Sequence, residues 1–458
     1  MIFHPRVAAS LAALLLFLLA IPVVAEGSLF AEGSALAENS EAVEAVLAES
    51  SETESLETES SDRRGSLIHE EAEVSSLSVI SIADNVHVAL GQGPSSMAMI
   101  EGPDGLVIID SLASEEASAR VMTAFREISA LPVAAVILTH LHRDHSGGLG
   151  VVAEGNVPVY SRVATVAGDD TGNTFPHQAT TAGDDNPPGE IPLADIPLRQ
   201  PITARHPISV GGIELELVAA HGDQQLWLWY PDKGLLFSGD AFYTSFPAIH
   251  ALHNTVAETR DWLTTLDAML EQSPHFLVSS HGYPIIGQQQ SVEALKQYRD
   301  TIALVLDETL SGIARGMSPE ALAATIHLPP ELAGQPFLEP RYARLSWAIR
   351  AIYADHRGWF DGNPTHLEPL PAAELAARIA ELAGGPEPLL ENGLLALDNG
   401  DYAWAAQLAD YLLSLAPEHA AARHMKADAL VGLAEQTDTL PARDYYLQAA
   451  RELRRSAE

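Results

Sequence analysis

The sequence predicts a layered α/β domain followed by an all-α segment, and three observations predict it. Between residues 79 and 138, short apolar runs of strand length flank one stretch with helical spacing. Histidines and aspartates gather directly after several of these runs, where loops can present side chains without disturbing a core. Beyond Gly287 the apolar positions change to helical spacing and keep it almost to the end.

Residues 1–25 combine a positive start at Arg6, an apolar core over 7–20 and the small-residue end Val23-Val24-Ala25. This pattern predicts a secretory signal peptide, hence a periplasmic or secreted protein. Residues 26–76 are a low-complexity tract of Glu, Ser, Ala and Thr. It has too little apolar surface to offset its ordering entropy, so a disordered acidic tether is expected.

The globular pattern opens with strand-like runs at 79–82, 86–90 and 96–100, and the apolar strand 106–110 ends in Asp110. Residues 114–128 follow with helical spacing, Ser114 as N-cap and Glu115 and Glu116 in the first turn. A second buried strand is predicted at 133–138. Residues 165–207 are rich in Gly, Asp, Asn and Pro and too long for an ordinary connection, so they read as loops around a mouth. Strands resume at 213–219, 226–230 and 235–238, with Pro231-Asp232-Lys233-Gly234 turning the last two into a hairpin, and a short apolar run follows at 276–278. The expected organisation is an α/β domain over 77–290 and a helical domain over 291–458. Its helical segments lie at 291–316, 318–325, 340–356 and 372–382. Residues 399–433 form a helix pair that resembles a tetratricopeptide unit, which must pack on its neighbours or on another subunit.

A formal charge of -37, from 62 acidic and 25 basic residues, disfavours nucleic acid and acidic membrane surfaces as partners. The chain has no cysteine, so any metal must be held by His, Asp and Glu.

The stretch Thr139-His140-Leu141-His142-Arg143-Asp144-His145-Ser146-Gly147-Gly148 supplies such ligands directly after an apolar strand. Side chains alternate along an extended segment, so His140 and His142 face one side and can grip one ion. Asp144 and His145, in the turn that follows, can face a second. Three more candidates end strands elsewhere: His221 after 213–219, Asp240 after 235–238 and His281 after 276–278. Taken by position, His140, His142 and His221 suit one ion, Asp144, His145 and His281 the other, and Asp240 bridges. Neutral imidazoles hold the cations while the carboxylates of Asp144 and Asp240 offset their charge, and metal-activated water makes hydrolysis the default reaction. His250 and His253 lie close by and are candidates for an anionic substrate, with His177, Arg205 and His206 weaker ones. Trp227, Trp229 and Tyr230 read as core or sheet surface, and Arg341, Arg344 and Arg350 as a solvated stripe.

The pattern His140-x-His142-x-Asp144-His145, then His221, Asp240 and His281, resembles the metallo-β-lactamase superfamily, and Asp110 is similar to its structural Asp on an earlier strand. Two stretches resemble the alkyl and aryl sulfatase branch: Gly239-Asp240-Ala241-Phe242-Tyr243-Thr244-Ser245-Phe246-Pro247, and the run from Ala351 through Gly358-Trp359-Phe360-Asp361-Gly362-Asn363-Pro364 to Thr365. The resemblance covers roughly residues 79–454. It implies an αββα metallo-β-lactamase sandwich followed by an all-α dimerisation domain with tetratricopeptide-like helices, two zinc ions per chain and a homodimer formed through the helical domain. It also implies hydrolysis of a small alkyl or aryl sulfate ester. Two positions depart from that branch: His221, where a Glu is often found, and His253, where the sulfatases usually carry an Arg. A His cannot offer the fixed, always-charged fork of an Arg to a sulfate. Another ester, a lactone or a phosphoester is therefore the alternative substrate, and a non-enzymatic dimeric scaffold the second alternative. The chain stops soon after the helical repeats, so the sterol-carrier-like third domain of many such sulfatases is not expected.

Overall fold

The computed structural model describes residues 76–162, 201–221, 225–249 and 259–456. The signal-like segment, the acidic tract, most of the long mouth loop including His177, and both His250 and His253 lie outside the described residues.

Two six-stranded sheets form the first half. In the first, β1 (Ser78–Ala83), β2 (Val86–Leu90), β3 (Met97–Gly102), β4 (Gly105–Ile109), β5 (Val133–Ile137) and β6 (Val159–Tyr160) lie in sequence order, with β4, β5 and β6 parallel. Helix α1 (Glu115–Ile128) makes the crossover from β4 to β5, and Ser114 caps it by accepting from the Ala117 N–H. Two single turns, α2 (Arg143–Ser146) and α3 (Leu149–Val152), follow β5. The second sheet runs β12-β11-β10-β9-β8-β7, from β7 (His206–Val210), β8 (Ile213–Ala219), β9 (Leu226–Tyr230), β10 (Leu235–Phe237), β11 (Phe276–Val278) and β12 (Ile285–Ile286). Only β10 and β11 are parallel among its described pairs.

Strand side chains alternate between two cores, as a period of two requires. Val86 and Val88, Ala98 and Ile100, Val107 and Ile109, and Ala135 and Ile137 face inward, where they meet Leu215, Leu217, Leu226, Leu228 and Phe237 of the second sheet. The alternate residues Met97, Met99, Leu106, Ile108 and Val136 face outward onto Val121 and Phe125 of α1. On the far side, Trp227, Leu236 and Leu277 face Leu266 and Met269 of α4 (Thr259–Leu270) and Leu295, Tyr298 and Ile302 of α5 (Gln288–Ala314). The result is the layered α/β domain that the strand and helix order predicted, in the four-layer α/β/β/α form that the family resemblance implied.

The change to helical pattern near residue 290 does not separate two cores. Helix α5 covers the second sheet, and the same cluster takes in Leu322 of α6 (Pro319–Thr325), Leu332 of α7 (Pro330–Ala333) and Ile349, Ile352 and Tyr353 of α8 (Leu345–Arg357). The remaining helices are α9 (Ala372–Ala383), α10 (Pro386–Asp398), α11 (Tyr402–Leu415), α12 (Ala420–Gln436) and α13 (Leu440–Arg455), and each packs on the next in sequence. Helices α11 and α12 are the anticipated pair, with alanines 405, 406, 409, 422 and 429 buried where they pack.

Several elements were not anticipated, β6, β12, α7 and α10 among them, and β7 and α4 are the clearest. Strand β7 pairs antiparallel with β8 through Gly211-Gly212, both at positive φ, a two-residue turn signal that the sequence does carry. Helix α4 has Trp262, Leu266 and Met269 at helical spacing, overlooked between strand signals. The sheet core predicts its own sensitivity: Phe125→Ala should cost about 3–5 kcal/mol, measured by urea denaturation, because the fully buried ring leaves a cavity between α1 and the first sheet.

Candidate metal centre

The carboxyl ends of the parallel strands in both sheets converge on one rim of the sandwich. From the first sheet come Asp110 after β4 and Thr139-His140 after β5; from the second come Asp240 after β10 and Ser279-Ser280-His281 after β11. Backbone bonds tie the two sheets there, with the Leu226 N–H donating to the Thr139 carbonyl at 2.6 Å and the Ser96 N–H to the Ser280 carbonyl at 2.7 Å.

Asp110 is the hub. Its φ of 59° lies in the left-handed region, which costs a non-glycine residue about 1–3 kcal/mol. Its carboxylate accepts from the Thr139 N–H at 2.7 Å and from the Thr139 hydroxyl at 2.8 and 3.0 Å, and lies 2.9 Å from His145 Nδ1. His145 Nδ1 therefore carries a proton and donates it to Asp110, leaving Nε2 as the nitrogen that a second proton or a metal ion can take. Thr139 extends the same logic to His140. Its hydroxyl proton is committed to Asp110, so its oxygen accepts from His140 Nδ1 at 3.2 Å and His140 Nε2 is bare. His281 Nδ1 donates to the Pro94 carbonyl at 2.9 Å, which frees its Nε2 too.

These bare nitrogens meet carboxylates. Asp144, His145 and His281 offer ligand atoms within 4.8 Å of one another, and so do His140, His145 and Asp240. His142 faces the same cluster, its Nδ1 3.0 Å from His140 Nε2. Asp240 spans the groups, with Oδ2 3.4 Å from His140 Nε2 and Oδ1 3.4 Å from His281 Nε2 and 3.7 Å from His145 Nε2. His145 Nε2 and Asp240 Oδ1 are buried without a hydrogen-bond partner. Imidazole lone pairs turned toward one another and toward carboxylates repel unless a proton or a metal cation lies between them, so the donor set fits metal ions that displace protons.

The electrostatics point the same way. Burial pushes the Asp144 and Asp240 carboxyls up, yet His145 and His281 pull both below the usual carboxylate range. Burial lowers His145 and His281, but the facing carboxylates of Asp144 and Asp240 raise both above the ordinary histidine value. His140 is held well below it by burial and the neighbouring His145. The centre of the cluster is thus a negative potential that attracts positive charge.

Local packing explains the small residues of the motif. A Cβ on Gly148 would lie 1.7 Å from Ser118 Oγ and 2.4 Å from the Ser111 carbonyl, so only glycine lets the turn carrying Asp144 and His145 settle against α1. Residues 91–96 clasp the rim from outside: beyond the Pro94 bond, Ser95 donates to the Asp144 carbonyl and Ser96 Oγ to the Ser279 carbonyl at 3.2 Å. The sequence reading missed this clasp, for which Gly91, Gly93 and Pro94 are only a generic loop signal. It also missed Tyr243 and Tyr342, whose rings stand edge-on to His281 at 5.5 and 5.4 Å. Burial and the carboxylates of Asp144 and Asp240 push the Tyr342 phenol up to about 12, against a lowering by Arg341.

Six of the seven expected ligands are therefore brought together. The seventh, His221, is exposed; its backbone N–H donates to Thr265 Oγ1 of α4 at 2.9 Å, and among the described residues its ring joins neither donor group. Of the weaker candidates, Arg205 pairs with Glu216 and lies over the Trp227 ring, and His206 opens β7. Arg344, read as solvated, instead pairs with Asp438.

Residues 90–281 match the metallo-beta-lactamase superfamily, and residues 318–456 match alkyl sulfatase dimerisation. A linear primary-alkylsulfatase of Pseudomonas sp. is 29% identical over 78% of this chain and 73% of its own length. An (R)-specific secondary-alkylsulfatase of Pseudomonas sp. is 30% identical over 80% of this chain, which spans 60% of that relative. Among solved structures, the stereoselective inverting sec-alkylsulfatase Pisa1 from Pseudomonas sp. superposes with a TM-score of 0.73 at 25% identity, covering 83% of this chain and 66% of that one. The chain thus carries a metallo-β-lactamase superfamily domain joined to an alkyl sulfatase dimerisation domain.

Proposed function

We propose that the chain is an exported, zinc-dependent hydrolase of alkyl sulfate esters that acts as a homodimer through its helical domain. The observation that carries this reading is the convergence of His140, His142, His145, His281, Asp144 and Asp240 at the strand ends, in a chain whose relatives are named alkylsulfatases. Those six residues, with His221 at the rim, are the groups that would hold two zinc ions. Zinc bound there would supply Lewis-acid polarisation of a substrate oxygen and water acidified toward neutrality.

The remaining work falls to the chain. Asp110, Thr139 and the Pro94 carbonyl fix the imidazole tautomers, so the ligand nitrogens need no rearrangement. Asp144 and Asp240 would offset cationic charge, and their carboxylates are the groups proposed to take the proton that attacking water gives up. His250 and His253 are proposed to meet the anionic end of the ester. The signal-like segment would deliver the protein outside the cytoplasm.

Metal analysis of the purified full chain should find about two zinc ions, and incubation with a medium-chain alkyl sulfate should release inorganic sulfate. Release of product only from lactones or phosphoesters would overturn the sulfatase reading, and a protein that holds no metal would overturn the hydrolase. Zinc uptake near neutral pH should liberate protons, because Asp144 and Asp240 raise the proton affinity of His145 and His281 and the metal must displace what they hold. Calorimetry in buffers of different ionisation heat measures this, and an enthalpy independent of buffer would contradict it. Asp110→Asn preserves shape but sets an amide N–H against either Thr139 or His145, and should weaken zinc binding by about 10–100-fold in competition with a chelator.

A further inference from the structure

Arg143 stands between two of the clustered residues, His142 and Asp144, and opens the single turn α2. Its side chain crosses from that turn to the loop after β4, where Nε donates to the Ala113 carbonyl at 3.3 Å. Ala113 lies shortly beyond Asp110 in the same loop. One guanidinium thus bridges the two segments that bring Asp110, Asp144 and His145 to the rim.

That single bond uses little of the group. Nη1 is buried without a hydrogen-bond partner, while the residue as a whole is half-buried, so solvent reaches the side chain. Arg143 is next to Asp144 in sequence, yet the ion pairs of Asp144 run to His145 and His281, and those of Asp240 to His140, His145 and His281. Among the described residues Arg143 forms no ion pair, although the chain has 62 acidic side chains. Arg344 also buries a nitrogen without a bond, but Asp438 meets its charge. A guanidinium keeps its charge at any ordinary pH and presents its donors in a planar fork matched to the oxygens of an anion. Holding such a group partly out of water with no acceptor is costly. Bracing the loop does not require it, because one N–H of a lysine or glutamine could meet the Ala113 carbonyl. The arrangement is accounted for by an acceptor from outside the chain, and a place between two residues of the cluster selects an anion that the cluster itself holds.

We propose that Arg143 is a substrate-positioning residue, its guanidinium donating to the anionic group of the ester beside the His142–Asp144 turn while Nε keeps the loop after β4 in place. The assignment rests on the sulfate-ester reading for the identity of the anion. It also gives the ligand motif a second task, since the segment that presents His142 and Asp144 then selects the charge of the substrate as well.

The test uses the full chain loaded with zinc. Arg143→Gln removes the charge and the fork but can still donate to the Ala113 carbonyl. It should raise the KM for a medium-chain alkyl sulfate, and weaken binding of inorganic sulfate by calorimetry, by about ten-fold or more, the value of one hydrogen bond between charged groups. Zinc content per chain and the thermal midpoint should stay at the parent's values, with kcat changed less than KM. Arg143→Lys, which keeps the charge without the fork, should fall between the two in sulfate affinity. A Gln variant equal to the parent in both KM and sulfate affinity overturns the assignment. Loss of zinc or of folding in the Gln variant leaves the decision to the Lys variant, whose sulfate affinity at full zinc content must fall below the parent's; equality, or loss of zinc there too, overturns the assignment in favour of a brace. A parent that binds sulfate but hydrolyses no sulfate ester overturns the proposed function, while the Arg143 role is still decided by the sulfate affinities. A parent that does neither overturns both.

Discussion

One carboxylate organises the rim. Asp110 sits in a backbone conformation that disfavours any residue but glycine, and three neighbouring groups hold it there: the Thr139 N–H, the Thr139 hydroxyl and His145 Nδ1. Hydrogen bonds to a charged acceptor contribute about 1.5–3 kcal/mol each, so together they offset the conformational strain of about 1–3 kcal/mol. What they achieve is directional. The same bonds that hold Asp110 orient His145 directly and His140 through Thr139, so strain, tautomer and ligand geometry are one arrangement. Everything else at the rim is placed with respect to it, including Ser280 from the opposite sheet, whose hydroxyl reaches the same carboxylate at 3.4 Å.

That dependence explains why the fold must be a sandwich. No single sheet could supply the site, because β4 and β5 carry Asp110 and His140 while β10 and β11 carry Asp240 and His281. The inter-sheet core of alternating Val, Ile and Leu sets the sheets at a fixed separation, and the cross-rim bonds from Ser96 to Ser280 and Leu226 to Thr139 then set the register of the loops. The clasp over residues 91–96 finishes the job by bonding to both the Asp144 turn and the His281 loop. A displaced sheet would separate Asp240 from His145 before it exposed much apolar surface, so the site is more sensitive to packing than the fold is.

Much of this was legible in the residues. Strand alternation placed β2 to β5 and β8 to β11 to within a residue or two, and Ser114 marked the start of α1 because its hydroxyl satisfies an otherwise free helix N–H. The cluster of His140, His142, Asp144, His145, Asp240 and His281 was legible because these residues follow strands, where loops can present side chains. What escaped has a common cause. Pro94, Ser95, Tyr243 and Tyr342 act through contacts to partners far away in sequence, and nothing local distinguishes such a serine or tyrosine from a solvated one. His221 shows the converse. Its place after a strand is the right kind of place, but in this structure the strand's end delivers a backbone bond to Thr265 and leaves the ring at the surface.

The helical half draws the same lesson at larger scale. Its periodicity predicts helices, and Ala405, Ala409, Ala422 and Ala429 predict close crossings between them, but periodicity carries no information about which loop reaches another domain. That is settled by three bonds, at Glu339, Arg341 and Arg344, each to a partner outside the loop itself. The first joins it to the chain just past Asp240 and the other two to the turn before the last helix. Any motion of α12 and α13 must therefore be transmitted to the tyrosine beside His281 or break one of those bonds. A domain recognised as a dimerisation unit is, on this geometry, mechanically continuous with the metal centre.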